Sequence, residues 1–383
     1  MRYFIIAGEQ SGDLHGSNLV RELKKADPEA VIDAWGGDLI RDAGANLLMH
    51  YARTAFMGFL VILKNLRTIA DNLALCKQQI TESNPDVIIL IDYPAFNLRI
   101  AEFARKKGLK VFYYISPKIW AWKESRVKKI RQFVDRMYII FPFEVEFYAR
   151  HNIEVEYFGN PLVDEIERRM EEIRQAEEKL KIEGKDETPV IALLPGSRKH
   201  EVACILPHMI EVVSSFPGYR FIVTSVGSIP EDFYRRIIGG KPVTLAQDAA
   251  YTVLRSAEAA LVASGTATLE AALIGTPQVV CYKGDFFSAL LAWILIKVKY
   301  VSLVNLIMGR KVVTELLQYS LKRKNLVREL KAILTGGERR ERMLSEYREL
   351  AEKLGPSGAS ARVAGDMVRR LKNEGALLRY LLR

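Results

Sequence analysis

Val87-Ile88-Ile89-Leu90-Ile91 sets five β-branched or leucine residues in succession, bounded by Asn84-Pro85 before it and Asp92-Tyr93-Pro94 after it. A strand with one wet face alternates apolar and polar residues. A run that is apolar at every position fits a strand covered on both faces, the environment of a parallel sheet with helices above and below. This stretch therefore points to an α/β fold, and the rest of the chain repeats its theme. Tyr3–Ala7 is apolar and leads through Gly8-Glu9-Gln10-Ser11-Gly12-Asp13 into a helical pattern at Leu14–Leu23. Further strands are expected at Val31–Trp35, Val111–Ile115 and Met137–Phe141, then at Val190–Leu194, Tyr219–Thr224, Val243–Leu245, Ala259–Val262 and Gln278–Tyr282. Strand, tight turn and helix in alternation is the pattern of a doubly wound domain.

The alternation is interrupted once, by Asp164–Lys185, which is charged and helical with no strong apolar stripe. It reads as a linker. The expected organisation is a first Rossmann-like domain over 1–163, a linker over 164–187, and a second Rossmann-like domain over 188–355. The two domains would face a cleft. Residues 316–370 read as charged helix, and the tail over 356–383, with its Leu377–Arg383 end, needs a partner surface on the first domain or on a second subunit.

A length of 383 residues and a hydrophobic share of 49% allow two packed cores. The net charge of +10 favours anionic partners: phosphorylated small molecules, an anionic bilayer or nucleic acid. Cys76, Cys204 and Cys281 are widely spaced and fit buried thiols in a reducing cytoplasm better than a disulfide or zinc framework. The apolar part of the N-terminus is too short for a signal peptide, and no apolar run is long enough to span a bilayer.

Three turns carry candidate chemistry. Pro195-Gly196-Ser197-Arg198 follows the Val190–Leu194 strand and opens a helical pattern at Val202–Val213, so backbone N–H groups, a positive helix end and a guanidinium converge on whatever lies above the strand. Ser264-Gly265-Thr266-Ala267-Thr268-Leu269-Glu270 repeats that logic after the Ala259–Val262 strand. It could cradle a diphosphate, with Glu270 accepting from a ribose hydroxyl. Asp92 stands at the carboxyl end of Val87–Ile91, where ligands of open α/β sheets bind, either as a general base or as a cap for the next helix. The chain has no Gly-x-Gly-x-x-Gly, no Asp-x-Asp and no zinc spacing, so neither a dinucleotide cofactor nor a metal-bridged diphosphate is expected.

Two apolar segments fit either buried helices of the core or a lipid partner. Phe56, Met57, Phe59, Leu60 and Leu63 lie in a stretch that is apolar on every side before Lys64 and Arg67, and Phe286–Val298 is apolar with a basic end. Trp120 and Trp122, flanked by Lys118 and Lys123, fit either a core corner or a lid over an apolar, anionic substrate.

Taken together, the Ala7–Asp13 run, Ile91–Asn97, Ser116–Trp122, Pro142-Phe143-Glu144, Leu194–Arg198 with Glu201, Ala263–Glu270, and Tyr300–Gln318 resemble the lipid-A-disaccharide synthase family over almost the whole chain. The resemblance implies a metal-independent, inverting glycosyltransferase of the GT-B type. It would join UDP-2,3-diacylglucosamine to 2,3-diacylglucosamine 1-phosphate (lipid X), forming the β(1→6) disaccharide of lipid A and UDP. Asp92 matches the family's proposed base. Gly196, Ser197, Arg198, Glu201, Ser264, Gly265, Thr266, Thr268 and Glu270 match the UDP side, and Asn305, Glu315 and Gln318 match positions near the donor. Gly8, Glu9, Ser11, Gly12 and Asp13 are expected against substrate. The resemblance also implies peripheral attachment to the cytoplasmic side of an anionic inner membrane and a homodimer with swapped C-terminal segments. Ala95, Val61 and Val304 depart from the family pattern, which often has Asp, Glu and Pro at these places, and His15 has no counterpart in it. Two other readings compete: a UDP-sugar 2-epimerase on the same scaffold, and a non-catalytic basic module for membrane or nucleic acid. No nucleic-acid motif is present.

Overall fold

The computed structural model describes residues 1–53, 66–122, 124–180, 188–284 and 299–381. They separate into two units, Met1–Asp164 with Pro356–Arg383, and Glu165–Gly355. Each unit is built on its own parallel sheet.

The first sheet holds β1 (Arg2–Ala7), β2 (Val31–Gly36), β3 (Asn46–His50), β4 (Val87–Ile91), β5 (Lys110–Tyr114), β6 (Arg136–Ile139) and β7 (Glu156–Tyr157). Their order is β3-β2-β1-β4-β5-β6-β7. Ala7 of β1 lies opposite Ile91 of β4. The chain winds outward from β1 to β3, then restarts at β4 and winds the other way, so β1 and β4 flank the topological switch point. Every residue of β4 is buried, as its uniform apolar run requires.

The second sheet holds β8 (Val190–Leu194), β9 (Arg220–Ser225), β10 (Val243–Gln247), β11 (Ala257–Ala263), β12 (Gln278–Tyr282) and β13 (Thr314–Leu317). The order β10-β9-β8-β11-β12-β13 places the same switch between β8 and β11, where Leu194 lies opposite Val262. The strands β3, β7 and β13 are not among those the sequence suggests. They are short edge strands of five, two and four residues, too brief to print a period. The leucines of β13 in particular read as the start of a helix; the helices that follow are Arg323–Ile333, Arg340–Leu354 and Ala359–Leu381.

The chain leaves the first unit within the helix Pro161–Leu180, which starts with proline at its first turn. Asn160 fixes that start: its Oδ1 accepts from the Leu162 amide at 2.9 Å, and its Nδ2 donates to the Ile140 carbonyl at 2.9 Å. The C-terminal helix Ala359–Leu381 belongs to the first unit. Asp164 caps it, accepting from the amides of Gly358, Ala359 and Ser360 at 2.7, 3.1 and 2.9 Å. Further along, Asp366 accepts from the Tyr138 hydroxyl at 3.0 Å, while Val363, Ala364 and Met367 are buried. Among the described residues no helix is long and apolar enough to cross a membrane.

Candidate active site

At the β1/β4 switch two turns meet. Gly8 follows β1, and a methyl group there would fall 2.3 Å from the ring of Tyr93, which follows β4 and Asp92. Glycine at this position is therefore what lets the two turns close on each other. The helix Gln10–Ala26 begins next. Its Gly12 and Gly16 lie tight on the sheet, where added methyls would reach Ala7 at 3.3 Å and Ile40 at 2.6 Å. Asp13, 3% exposed, turns its carboxylate away from the mouth of the switch and accepts from the amides of Gly37, Leu39 and Ile40 at 2.7, 3.2 and 3.1 Å. Gly12 and Asp13, expected against substrate, make these contacts within the chain. Gly8 is buried, Glu9 is half-buried and Ser11 is exposed at the helix start.

Asp92 is held at the mouth by its backbone. Its amide donates to the Ile115 carbonyl at 3.2 Å, and its carbonyl accepts from Asn97 Nδ2 at 2.8 Å and from the Tyr113 hydroxyl. Asp92, Tyr93 and Ile115 have φ of 44°, 45° and 64°. Left-handed backbone is uncommon for non-glycine residues and a strain for a β-branched one, and such strain concentrates at functional sites. The cap position of the helix Pro94–Lys106 is Tyr93, and no side chain accepts there. Burial pushes its carboxyl up to about 6; Lys118 and the Tyr93 amide oppose the rise, and Glu9 adds to it.

Two strands over, after β6, Glu144 is 1% exposed and accepts from the amides of Ile140 and Phe141 at 3.3 and 3.0 Å and from the Trp120 indole at 3.1 Å. Burial pushes it up to about 7. This buried acid anchors the Ser116–Trp122 segment, and Trp120 also packs edge-on against Phe143, with centroids 4.9 Å apart. The backbone of Trp122 closes the short helix Ile119–Trp122. Arg67 is exposed in the helix Leu66–Ser83. Phe56, Met57, Phe59, Leu60, Leu63, Lys64 and the Phe286–Val298 stretch lie outside the described residues, as does Val61. Val304 is buried and Ala95 is exposed.

At the β8/β11 switch the two anion-ready turns stand on neighbouring strands. Gly196 has φ +111°, and a methyl there would come 2.6 Å from Glu201 Oε2. Glu201 folds back over the turn, accepting from the Ser197 amide at 3.2 Å and pairing with Arg198 at 3.1 Å. The Arg198 side chain is 57% exposed at the start of the helix Lys199–Ile210. Across the switch, Ser264 donates its amide to Cys281 at 3.0 Å and its hydroxyl to the Val301 carbonyl at 3.1 Å. Gly265 and Thr266 are exposed where the helix Thr266–Ile274 begins, while Thr268 is buried, its hydroxyl on the Gly265 carbonyl at 2.8 Å. The first amides of a helix lack intrahelical acceptors, and here two such starts stand on neighbouring strands.

Glu270 lies one turn into that helix, half-buried, and accepts from the Tyr251 hydroxyl at 3.1 Å. Burial pushes its carboxyl up to about 7, with Tyr251 opposing and Glu165 adding. Asn305 and Glu315 face the chain rather than open space. Asn305 accepts from Val312 and Val313 at 2.7 and 3.0 Å and donates to Glu315 at 2.9 Å; Glu315 accepts from the Val301 and Ser302 amides at 3.1 and 2.9 Å. They fix the loop whose Val301 carbonyl holds the Ser264 hydroxyl. Gln318, φ 48°, closes β13. Sequence reasoning named Tyr93 only as part of the Ile91–Asn97 block and missed Tyr251, which sits in no motif and becomes visible only through its packing. Among the described residues no group of three His, Cys, Asp or Glu could hold a metal ion.

Two parallel α/β units, each with its own switch point, define a two-domain fold of the GT-B class. A family model described as lipid-A-disaccharide synthetase matches residues 3–364, and the chain belongs to the lipid-A-disaccharide synthase family. It is 37% identical over 371 residues to the lipid-A-disaccharide synthase of Trichlorobacter lovleyi, covering 95% of this chain and 96% of that one. The Syntrophus aciditrophicus lipid-A-disaccharide synthase is 38% identical over 368 residues, covering 94% and 95%. Lipid-A-disaccharide synthase 1 of Legionella pneumophila is 36% identical over 382 residues, covering 98% and 99%. Among solved structures, the UDP-GlcNAc 2-epimerase of Neisseria meningitidis superposes with a TM-score of 0.67 at 12% identity, over 96% of this chain and 100% of that one. The calicheamicin glycosyltransferase CalG4 superposes at 0.58 with 14% identity, over 97% and 98%. These two likenesses speak for the fold alone.

Proposed function

We propose that this chain joins UDP-2,3-diacylglucosamine to 2,3-diacylglucosamine 1-phosphate with inversion at the anomeric carbon, releasing UDP and forming the β(1→6) disaccharide of lipid A. Asp92 takes the proton from the acceptor 6-hydroxyl as that oxygen attacks the anomeric carbon, and the bond from that carbon to the UDP oxygen breaks. A carboxyl held near 6 suits the task, because it is ionised at neutral pH yet basic enough to accept a proton. The charge on departing UDP is met by Arg198 and by the helix starts at Lys199 and Thr266.

The observation that carries this reading is the division of chemistry between the two switch points: a raised carboxylate at one, and a cation with an exposed small-residue turn at the other. Incubating the protein with both diacylated substrates, without divalent ion, should yield UDP and disaccharide in equal amounts. No product from the intact protein sinks the proposal. Conversion of UDP-GlcNAc to its 2-epimer would instead favour the epimerase reading.

Both substrates carry acyl chains, so the enzyme works where lipid is. The net charge of +10, the exposed Arg67 and the aromatic pair Trp120 and Phe143 support peripheral attachment to an anionic inner-membrane surface, with Trp120 and Trp122 against acyl chain. Flotation with anionic and with zwitterionic vesicles tests this, and equal recovery from both removes the electrostatic part. A homodimer through the 356–383 segment is the finer reading of the tail; a monomer mass in sedimentation equilibrium rejects it.

A further inference from the structure

We propose that Tyr251 is a positioning residue for the donor nucleotide: its hydroxyl fixes Glu270 so that the carboxylate meets the ribose hydroxyls of UDP. The inference rests on the reading of Ser264–Glu270 as the nucleotide cradle. Tyr251 lies on the helix Ala250–Ser256, which follows β10, and reaches across to Glu270 on the helix that follows β11. Its hydroxyl donates to Oε1 at 3.1 Å, and in the proposal Oε2 is the oxygen that meets the ligand.

The surroundings make this contact more than packing. The groups facing Glu270 are Tyr251 from one helix and Glu165 from the helix Pro161–Leu180. Glu165 is an acid and repels charge on Glu270, although Arg169 Nε and Arg168 Nε, at 3.0 and 3.3 Å, hold it. Of the two neighbours, Tyr251 is the one that favours the ionised carboxylate. Its own phenol is driven above its ordinary range by burial and by Glu270 and Glu165, so it remains a hydroxyl and a donor at every working pH. A neutral donor suits the place: it orients Oε1 and stabilises the charge without competing for the UDP phosphates. An ionised carboxylate accepts from a ribose hydroxyl about twice as strongly as a neutral acid does.

The sign of the pH dependence follows. The Glu270 carboxyl, already near 7, would rise further without the Tyr251 hydroxyl, so ionisation would need a higher pH. The test is calorimetric binding of UDP-glucose, whose diphosphate is esterified at both ends and does not titrate near 7, to the full chain from pH 6 to 9. The analogue lacking both ribose hydroxyls is the second probe. Tyr251→Phe should bind UDP-glucose about tenfold more weakly at pH 7. Its affinity midpoint should move upward in pH, and its discrimination between the two probes should shrink, while its melting temperature stays close to that of the parent. Glu270→Gln should abolish the midpoint. If Tyr251→Phe keeps affinity, midpoint and discrimination while Glu270→Gln loses them, Tyr251 only packs and the inference is overturned. If neither substitution matters, Glu270 does not meet ribose, and the inference falls with that subsite. The transferase reading is judged separately by disaccharide formation, so its failure and this one are distinguishable.

Discussion

In the first unit the ionisable groups turn inward: Asp13 onto three amides, Asp92 at the β1/β4 switch into a corner that lifts its carboxyl, and Glu144 after β6 onto two amides and an indole. At the β8/β11 switch the Arg198 side chain is exposed and pairs with a carboxylate of its own first helical turn. Both places share strand order and turn position, so topology does not separate them. Burial does. A carboxylate withdrawn from water becomes a base at neutral pH, whereas a guanidinium needs no tuning to meet a phosphate and gains by being reachable. In the proposed reaction the same backbone plan serves proton chemistry in one unit and anion binding in the other.

The strongest way to break that contrast is Asp92→Asn. If the first switch supplies proton transfer only, kcat should fall about a thousandfold while UDP binding stays within twofold. The substitution should also stabilise the protein. Raising a folded carboxyl from 3.8 to about 6 penalises its charged form, a penalty present above pH 6 and absent below about 4, so the variant should melt higher at pH 7 and like the parent at pH 4. Loss of UDP affinity, or a lower melting temperature at pH 7, contradicts the assignment. Arg198→Ala is the mirror experiment. It should weaken UDP binding and slow transfer about a hundredfold, with the acid limb of the rate profile unmoved. Matching losses of stability and activity would return the turn to a merely structural role.

Asn305→Ala asks whether the residues that fix the Val301 loop are distinct from those that meet UDP. Removing a buried amide that serves the Val312 and Val313 N–H groups should cost about 2–4 kcal/mol of stability. An unchanged melting temperature with lost UDP affinity would move Asn305 onto the ligand.

The sequence spoke clearly where a run is long and uniform. Val87–Ile91 and Val190–Leu194 are strands at the expected residues, because burial on both faces leaves no other pattern. It was silent at β7 and β13, where two or four residues pair only because a neighbouring strand is already in place. In the site it marked Asp92, Arg198 and Glu270 by their position after a strand. It did not separate residues that face a ligand from those that face the chain: Asp13, Asn305 and Glu315 carry the same polar groups in the same turns, and only the amides around them tell which way they point. Tyr251 was invisible for the same reason. Its partner is 19 residues away and on another helix.

The smallest effect bears most directly on the contrast, because it tests whether the first switch is tuned rather than merely buried. Lys118 is exposed, yet its charge opposes the rise of the Asp92 carboxyl. If Asp92 is the base, kcat/KM should rise with pH through an acid limb near 6, since only the ionised carboxylate accepts the proton. Lys118→Met removes a neighbouring positive charge, so the limb should move to higher pH. The loss should be about threefold at pH 6, narrowing above pH 8, where Asp92 is ionised either way. Added salt should reproduce part of the shift in the parent, because an exposed cation is screened, and should do nothing further to the variant. A limb that stays in place would mean that burial alone sets the base, and that the Ser116–Trp122 segment held by Glu144 serves the acyl chains rather than the proton.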